Sequence, residues 1–118
     1  MEKSKVFNKA SGIKGETIAV EFIKQKLKYK ILECNYKNKI GEIDIIALDK
    51  KVIVFIEVKF SSSLKFGFPR ERVNSYKQQK IRTVAMGYLK AKGKVDSAAR
   101  FDVIEIVDEN IEHIPNAF

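Results

Sequence analysis

Two apolar runs rich in β-branched residues, EIDIIAL (Glu42 to Leu48) and VIVFIEVKF (Val52 to Phe60), stand only three residues apart. Nothing else in the chain constrains its fold so tightly. Runs of this kind are strands, and the short polar link Asp49-Lys50-Lys51 joins them as an antiparallel hairpin. Both are apolar on both faces, so they are central strands that need cover on each side.

The rest of the chain supplies that cover. Ile18, Ala19, Phe22, Ile23 and Leu27 recur at three- and four-residue steps between Gly12 and Lys28, which predicts an amphipathic helix led in by Ser11, Gly12 and Gly15. Ile81, Val84, Ala85, Tyr88 and Leu89 predict a second helix over Ser75 to Lys92, with Gly93 as its C-cap. YKILECNYK (Tyr29 to Lys37) reads as a strand, followed by a turn or bulge at Asn38-Lys39 and Gly41. RFDVIEIVDE (Arg100 to Glu109) is another strand, Asn110 turns, and IEHIP adds a short edge strand that Pro115 ends. SSSLKFGFPRE (Ser61 to Glu71) has no period and reads as a loop long enough to carry function. The order α-β-β-β-α-β-(β) is that of an α/β chain with a mixed sheet of four to five strands and helices on its faces. At 118 residues it is one domain, with residues 1–11 a flexible lead.

The formal net charge of +8 points to a polyanionic partner, nucleic acid first, although a membrane surface or a ribosome would attract the same balance. The single cysteine, Cys34, excludes an internal disulfide and a Cys-based zinc cluster; it reads as packing and agrees with a reducing compartment. No apolar stretch approaches the ~20 residues of a membrane span, and the charged N-terminus has no signal-peptide core. A cytoplasmic, non-membrane protein is therefore expected.

Charged residues stand where a buried strand wants apolar ones. Glu57 and Lys59 are two apart and share a face with Ile53 and Phe55. Either the strand emerges into solvent there, or the buried charges are paired or metal-bound. If the hairpin turn uses only Lys50 and Lys51, residue 49 pairs with 52 and Asp44 falls opposite Glu57. Their β-carbons would then be about 4.5–5.5 Å apart, close enough to share a divalent cation; a three-residue turn would shift the register by one. Glu16, three and seven residues before Ala19 and Ile23, lies in line with the first helix's apolar stripe, where an acid also suits the helix dipole. Lys77 has the matching position on the second helix, either snorkelling or touching phosphate. Three acids with one lysine suit phosphodiester hydrolysis, the acids holding Mg²⁺ or Mn²⁺ and the ammonium orienting the nucleophile or neutralising the phosphate. His113, the one histidine, reads as surface or packing, and Tyr76 and Tyr88 as helix packing rather than base stacking.

At these residues a family resemblance emerges. GEIDIIALDKKVIVFIEVKF resembles the D-x(n)-E-x-K core of the PD-(D/E)XK nuclease superfamily. The wider pattern, KGETIAVEFI, ILECNYKNKIGEIDIIA, FIEVKF, FGFPRERV, K-x-x-K-I and A-x-x-Y-L, is similar to the YraN-like bacterial family, which resembles the archaeal Holliday-junction resolvases. Ile43 stands where the superfamily name has proline, and Ser61 replaces a basic residue usual in YraN-like proteins. The resemblance implies a restriction-endonuclease-like core with Glu16, Asp44, Glu57 and Lys59 catalytic. Asp44, Glu57 and Glu16 would hold the metal, and Lys77, Lys80, Arg70 and Arg72 would contact nucleic acid. The implied activity is Mg²⁺-dependent endonuclease action on structured or branched DNA by a homodimer. The second reading is a nuclease-fold module that binds nucleic acid without cutting it, associated with RNA or the ribosome.

Overall fold

The computed structural model describes residues 15–61 and 74–118. The expected lead over residues 1–11, the Ser11 and Gly12 lead-in, and the loop residues that include Arg70 and Arg72 lie outside the described residues.

Helix α1 covers 15–27, and its last turn, Ile23–Leu27, is π-helical. Lys28 closes it in the left-handed conformation (φ 62°), its N–H returning to the Ile23 carbonyl. Strands β1 (Lys30–Lys37), β2 (Glu42–Asp49) and β3 (Val52–Ser61) follow, then α2 (Ser75–Ala91), β4 (Ala99–Val107) and β5 (Asn110–Ile114). They form one five-stranded sheet in sequence order, with neighbours antiparallel except β3 and β4. That pair is parallel because α2 carries the chain back across the sheet between them.

The hairpin uses the two-residue turn: Asp49 pairs with Val52, and Lys50 takes a positive φ of 58°. Ala19 and Ile23 of α1 cover Ile45, Ala47, Val54, Ile56, Ile104 and Ile106 on one face of the sheet. Ile81, Val84, Ala85, Tyr88 and Leu89 of α2 cover Ile46, Ile53, Phe55 and Val103 on the other. The result is a three-layer α/β sandwich with β2 and β3 at its centre, which is the restriction-endonuclease-like arrangement. No helix among the described residues is long and apolar enough to cross a membrane.

Four expectations need correction. Asn110 does not turn; it opens β5 opposite Val107, and the turn falls on Asp108 (φ 56°) and Glu109, since aspartate tolerates the left-handed region that a two-residue hairpin demands. Cys34 does not pack; it is exposed on β1, the edge strand, and partial burial together with the Glu16 charge push its thiol pKa up. Tyr76 does not pack either, being 73% exposed, whereas Tyr88 is buried edge-on against Phe55 and Tyr36. One residue before Lys77, Tyr76 is rotated by about 100° from the line that Lys77 shares with Ile81. His113 is neither free surface nor apolar packing, because its Nε2 lies 2.7 Å from the Asp102 carboxylate.

Asp102 is fully buried and accepts hydrogen bonds from Arg100, His113 and the Asn116 N–H. Arg100 also pairs with Asp49 at 3.0 Å and donates to the Tyr29 hydroxyl at 2.7 Å. This clasp ties β4 and β5 to the hairpin end of β2. Burial alone would raise the Asp102 pKa, but these donors hold it below the ordinary carboxylate value.

Candidate functional site

The β2/β3 ladder runs from Asp49↔Val52 to Ile45↔Ile56 and there the strands part. Alternation would send the next inward amide of β3, that of Val58, to a β2 carbonyl. It donates instead to Asp44 Oδ2 at 2.8 Å. β2 stays paired with β1 through Tyr36↔Ile43 and Lys37↔Glu42, while β3 stays paired with β4 through Glu57↔Val103 and Lys59↔Glu105. A cleft therefore opens inside the sheet rather than at its edge, and α2 roofs it. The resulting pocket, about 230 Å³, has Gly41, Glu42, Asp44 and Glu57 on the strand side and Lys77, Lys80, Ile81 and Val84 on the helix side.

Continuing the observed register one step sets Asp44 opposite Glu57, as the two-residue turn requires. Glu57 is buried, 8% exposed, and Lys77 Nζ lies 2.6 Å from its Oε2. Burial pushes the Asp44 carboxyl up to about 7, with the charges of Glu57 and Glu16 adding to it and the Val58 N–H and Lys77 opposing it. Burial pulls the Lys77 ammonium down, but its bond to Glu57 and the charges of Glu57 and Asp44 leave its pKa raised. The pocket thus sets the Asp44 carboxyl beside a second acid that is already paired with Lys77.

Glu16 approaches from the α1 layer. Its Oε1 accepts from Asn35 Nδ2 at 2.8 Å. Asn35 sits in β1 between the pairs Cys34↔Ile45 and Tyr36↔Ile43, across from Asp44, and holds a left-handed φ of 56° that asparagine tolerates well. Gly15, the first described residue of α1, lies close against β3: a β-carbon there would fall 2.8 Å from Phe60 Cδ1. Any larger residue would require α1 or the Phe60 side chain to shift, next to Glu16.

The fold thus unites Asp44, Glu57, Lys77 and Lys80 in one pocket, with Glu16 close enough to act on Asp44 electrostatically. Lys59 is half-buried on the same strand face as Glu57, in register with the buried Glu105, and does not line the pocket. Among the described residues, no three acids, histidines or cysteines are grouped closely enough to hold an ion by themselves. The donor set is a carboxylate pair with a third acid behind it. That chemistry suits Mg²⁺, which usually takes one or two carboxylates and completes its shell with water and phosphate oxygens. Sequence reasoning missed Asn35, the Lys77–Glu57 ion pair and the burial of Glu105. Only Glu105 left a signal, an acid inside the apolar run VIEIV.

Fold and site together define a small α/β protein of restriction-endonuclease-like topology with an acid-lined pocket at an internal sheet break. The uncharacterised protein family UPF0102 matches residues 15–106, and the chain belongs to that YraN-like family. It is 47% identical over 115 residues to a UPF0102 protein of Geobacter metallireducens, covering 94% of this chain and 93% of the relative. A UPF0102 protein of Alkaliphilus oremlandii is 48% identical over 117 residues, 94% of this chain and 99% of its own. One of Thermodesulfovibrio yellowstonii is 50% identical over 107 residues, 91% and 94% of the two chains.

Proposed function

We propose that this protein is a metal-dependent phosphodiesterase acting on nucleic acid, an endonuclease whose favoured substrate is structured or branched DNA. The observation that carries the reading is the Asp44 carboxyl, raised to about 7 beside the buried Glu57 in a pocket roofed by two lysines. Two desolvated carboxylates side by side serve no packing purpose and repel each other, an arrangement associated with catalytic and metal sites. Asp44 and Glu57 would hold Mg²⁺ or Mn²⁺, which when bound supplies acidity for a water nucleophile and positive charge for the phosphate. Glu16, oriented by Asn35, adds negative charge behind the pair. Lys77 and Lys80 neutralise the incoming phosphate, and Lys59 is assigned to the nucleophile by the superfamily's E-x-K pattern. Arg70 and Arg72 remain proposed backbone contacts.

The competing reading, a nuclease-fold module that binds RNA or DNA without cutting, draws on the Lys77–Glu57 pair, which neutralises Glu57 without any ion. Incubating the protein with branched DNA, linear DNA and structured RNA in Mg²⁺ and in EDTA separates the two. Cleavage in Mg²⁺ alone is the expected result, and binding without cleavage of any substrate would favour the module. A nucleic-acid substrate and a free cysteine both fit a cytoplasmic location.

Phosphate contacts should dominate binding, since the net charge is +8 and no base-reading motif is present in the sequence. Between about 50 and 200 mM salt, affinity for any nucleic acid should drop by at least about tenfold, with log affinity linear in log salt. A flat dependence in a fluorescence-anisotropy titration would remove nucleic acid from the proposal. A junction with two-fold symmetry needs two sites, and the described residues of one chain form one such pocket, so a homodimer is proposed. Light scattering at micromolar concentration should give twice the 13.5 kDa chain mass, at least with junction DNA bound; a monomer under both conditions counts against the dimer.

A further inference from the structure

The most exposed large apolar side chain among the described residues belongs to Tyr76, and it stands beside the pocket. It lies in the first turn of α2, which is pinned by Asn74: the cap side chain accepts from the Lys77 N–H at 2.9 Å. Lys80, one turn further on, places its Nζ 5.5 Å from the centroid of the Tyr76 ring. The same Lys80 lines the pocket that holds Asp44 and Glu57. With an ammonium over one face of the ring and the residue 73% exposed, the ring is accessible from solvent. An aromatic held on a rigid helical turn, joined through one lysine to an acid-lined pocket, has a plain use in nucleic-acid chemistry: its ring takes a base and its lysine takes the attached phosphate.

We infer that Tyr76 and Lys80 form a stacking platform for an unpaired nucleobase next to the candidate site, selecting substrates with a single-stranded or extruded nucleotide there. The inference rests on the nucleic-acid reading above. In a continuous duplex each base is already stacked between its neighbours and paired, so it cannot lie on a protein ring without being unstacked first. A flap, gap or single strand offers such a base at little cost. Tyr76 therefore supplies discrimination between nucleic acid with unpaired nucleotides and a fully paired duplex without reading sequence, since every base has a π-face.

The chain contains no tryptophan, so Tyr76→Trp introduces a single fluorescent reporter on the platform itself. Three probes are titrated in EDTA at low salt: a short single strand, a duplex with one unpaired base, and the same duplex fully paired. Tryptophan emission should be quenched by the first two and little affected by the third. Tyr76→Ala should weaken binding of the first two by about 5- to 150-fold, the range of base–aromatic stacking, and leave the paired duplex unchanged. Tyr76→Phe should bind as the parent does. If the parent binds and Tyr76→Ala matches it on all three probes, the platform is wrong while the nucleic-acid reading stands. If Tyr76→Ala weakens all three equally, Tyr76 supports the helix end rather than a base, and the platform is again wrong. If the parent binds none of the three, the nucleic-acid reading fails and the platform falls with it.

Discussion

Asp44→Asn should reduce Mg²⁺-dependent cleavage by a factor on the order of 10²–10³ or more, the scale on which removing one electrostatic group from a preorganised site is felt. The metal-free variant should nonetheless be at least as stable as the parent at pH 7 and above. Asparagine keeps the size of the side chain and an oxygen for the Val58 N–H. It removes a charge that burial and Glu57 both disfavour. In the folded parent Asp44 retains its proton to about pH 7, against an ordinary value of 3.8. The metal-free fold therefore loses stability as pH rises between those values, by at most about 4 kcal/mol, and loses no more above them. Thermal melts of the parent in EDTA should show that decline, and melts of Asp44→Asn should lack it. Added Mg²⁺ should raise the parent's Tm through preferential binding to the folded state and leave the variant's Tm unchanged. Lys59→Ala provides the contrast, expected to keep the Mg²⁺ stabilisation and lose cleavage. Should Asp44→Asn keep both metal stabilisation and cleavage, the assignment of the pocket as a metal site is wrong.

The second large effect lies at the other end of β2. Asp49 is five residues from Asp44, about 17 Å along the strand. Asp102→Asn should cost about 3–5 kcal/mol, the usual penalty for removing one partner of a buried ion pair. For a domain of this size that is a drop in Tm of roughly 10–20 °C. Among the described residues Arg100 would keep Asp49 as its one charged partner, and the introduced amide would set an NH₂ group against donors that in the parent all point at acceptors. Because the Asp102 pKa is lowered in the fold, the clasp contributes above the ordinary carboxylate range and its contribution fades as pH falls below it. The variant's stability should thus depend less on acid pH than the parent's. Nucleic-acid affinity, measured well below the melting temperature, should not change. A Tm within about 3 °C of the parent's, less than the effect of 1 kcal/mol, would mean that the clasp is dispensable.

How far the sequence can be read depends on whether the partners are local. The hairpin is legible because its link is short and its strands are apolar on both faces, but the sequence leaves two registers open; the folded two-residue turn decides for the one that sets Asp44 opposite Glu57. The two helices are legible from their stripes; the expected cap at Gly93 is off by one, Lys92 being the C-cap and Gly93 the residue after it, with a positive φ of 67°. Spacing also shows that Lys77 shares a line with Ile81, yet it does not say which sheet residue meets the ammonium. The answer, Glu57, is twenty positions away through a segment with no period. Asn35 is invisible because a left-handed residue inside a strand leaves no periodic trace. The Asp102 clasp is invisible for the opposite reason: its members are ordinary residues at separations of 2, 11 and 51 that only the folded sheet brings together.

Asn35 has an effect beyond orienting Glu16. A sheet with free edges invites a second sheet to continue it, and open edges are where proteins aggregate. The β1 edge has a register irregularity between Ile31 and Glu33, a left-handed residue at Asn35, and the charges of Lys30, Glu33 and Lys37, so it presents no regular run of unpaired amides. The opposite edge is β5, only five residues long with Glu112 and His113 in it, and Pro115 follows directly. Neither border offers a template for strand addition. Two copies of this chain would have to meet through helices or loops, leaving both sheets separate, and the protein should resist fibril formation at concentrations where a straight-edged sheet of the same size would not.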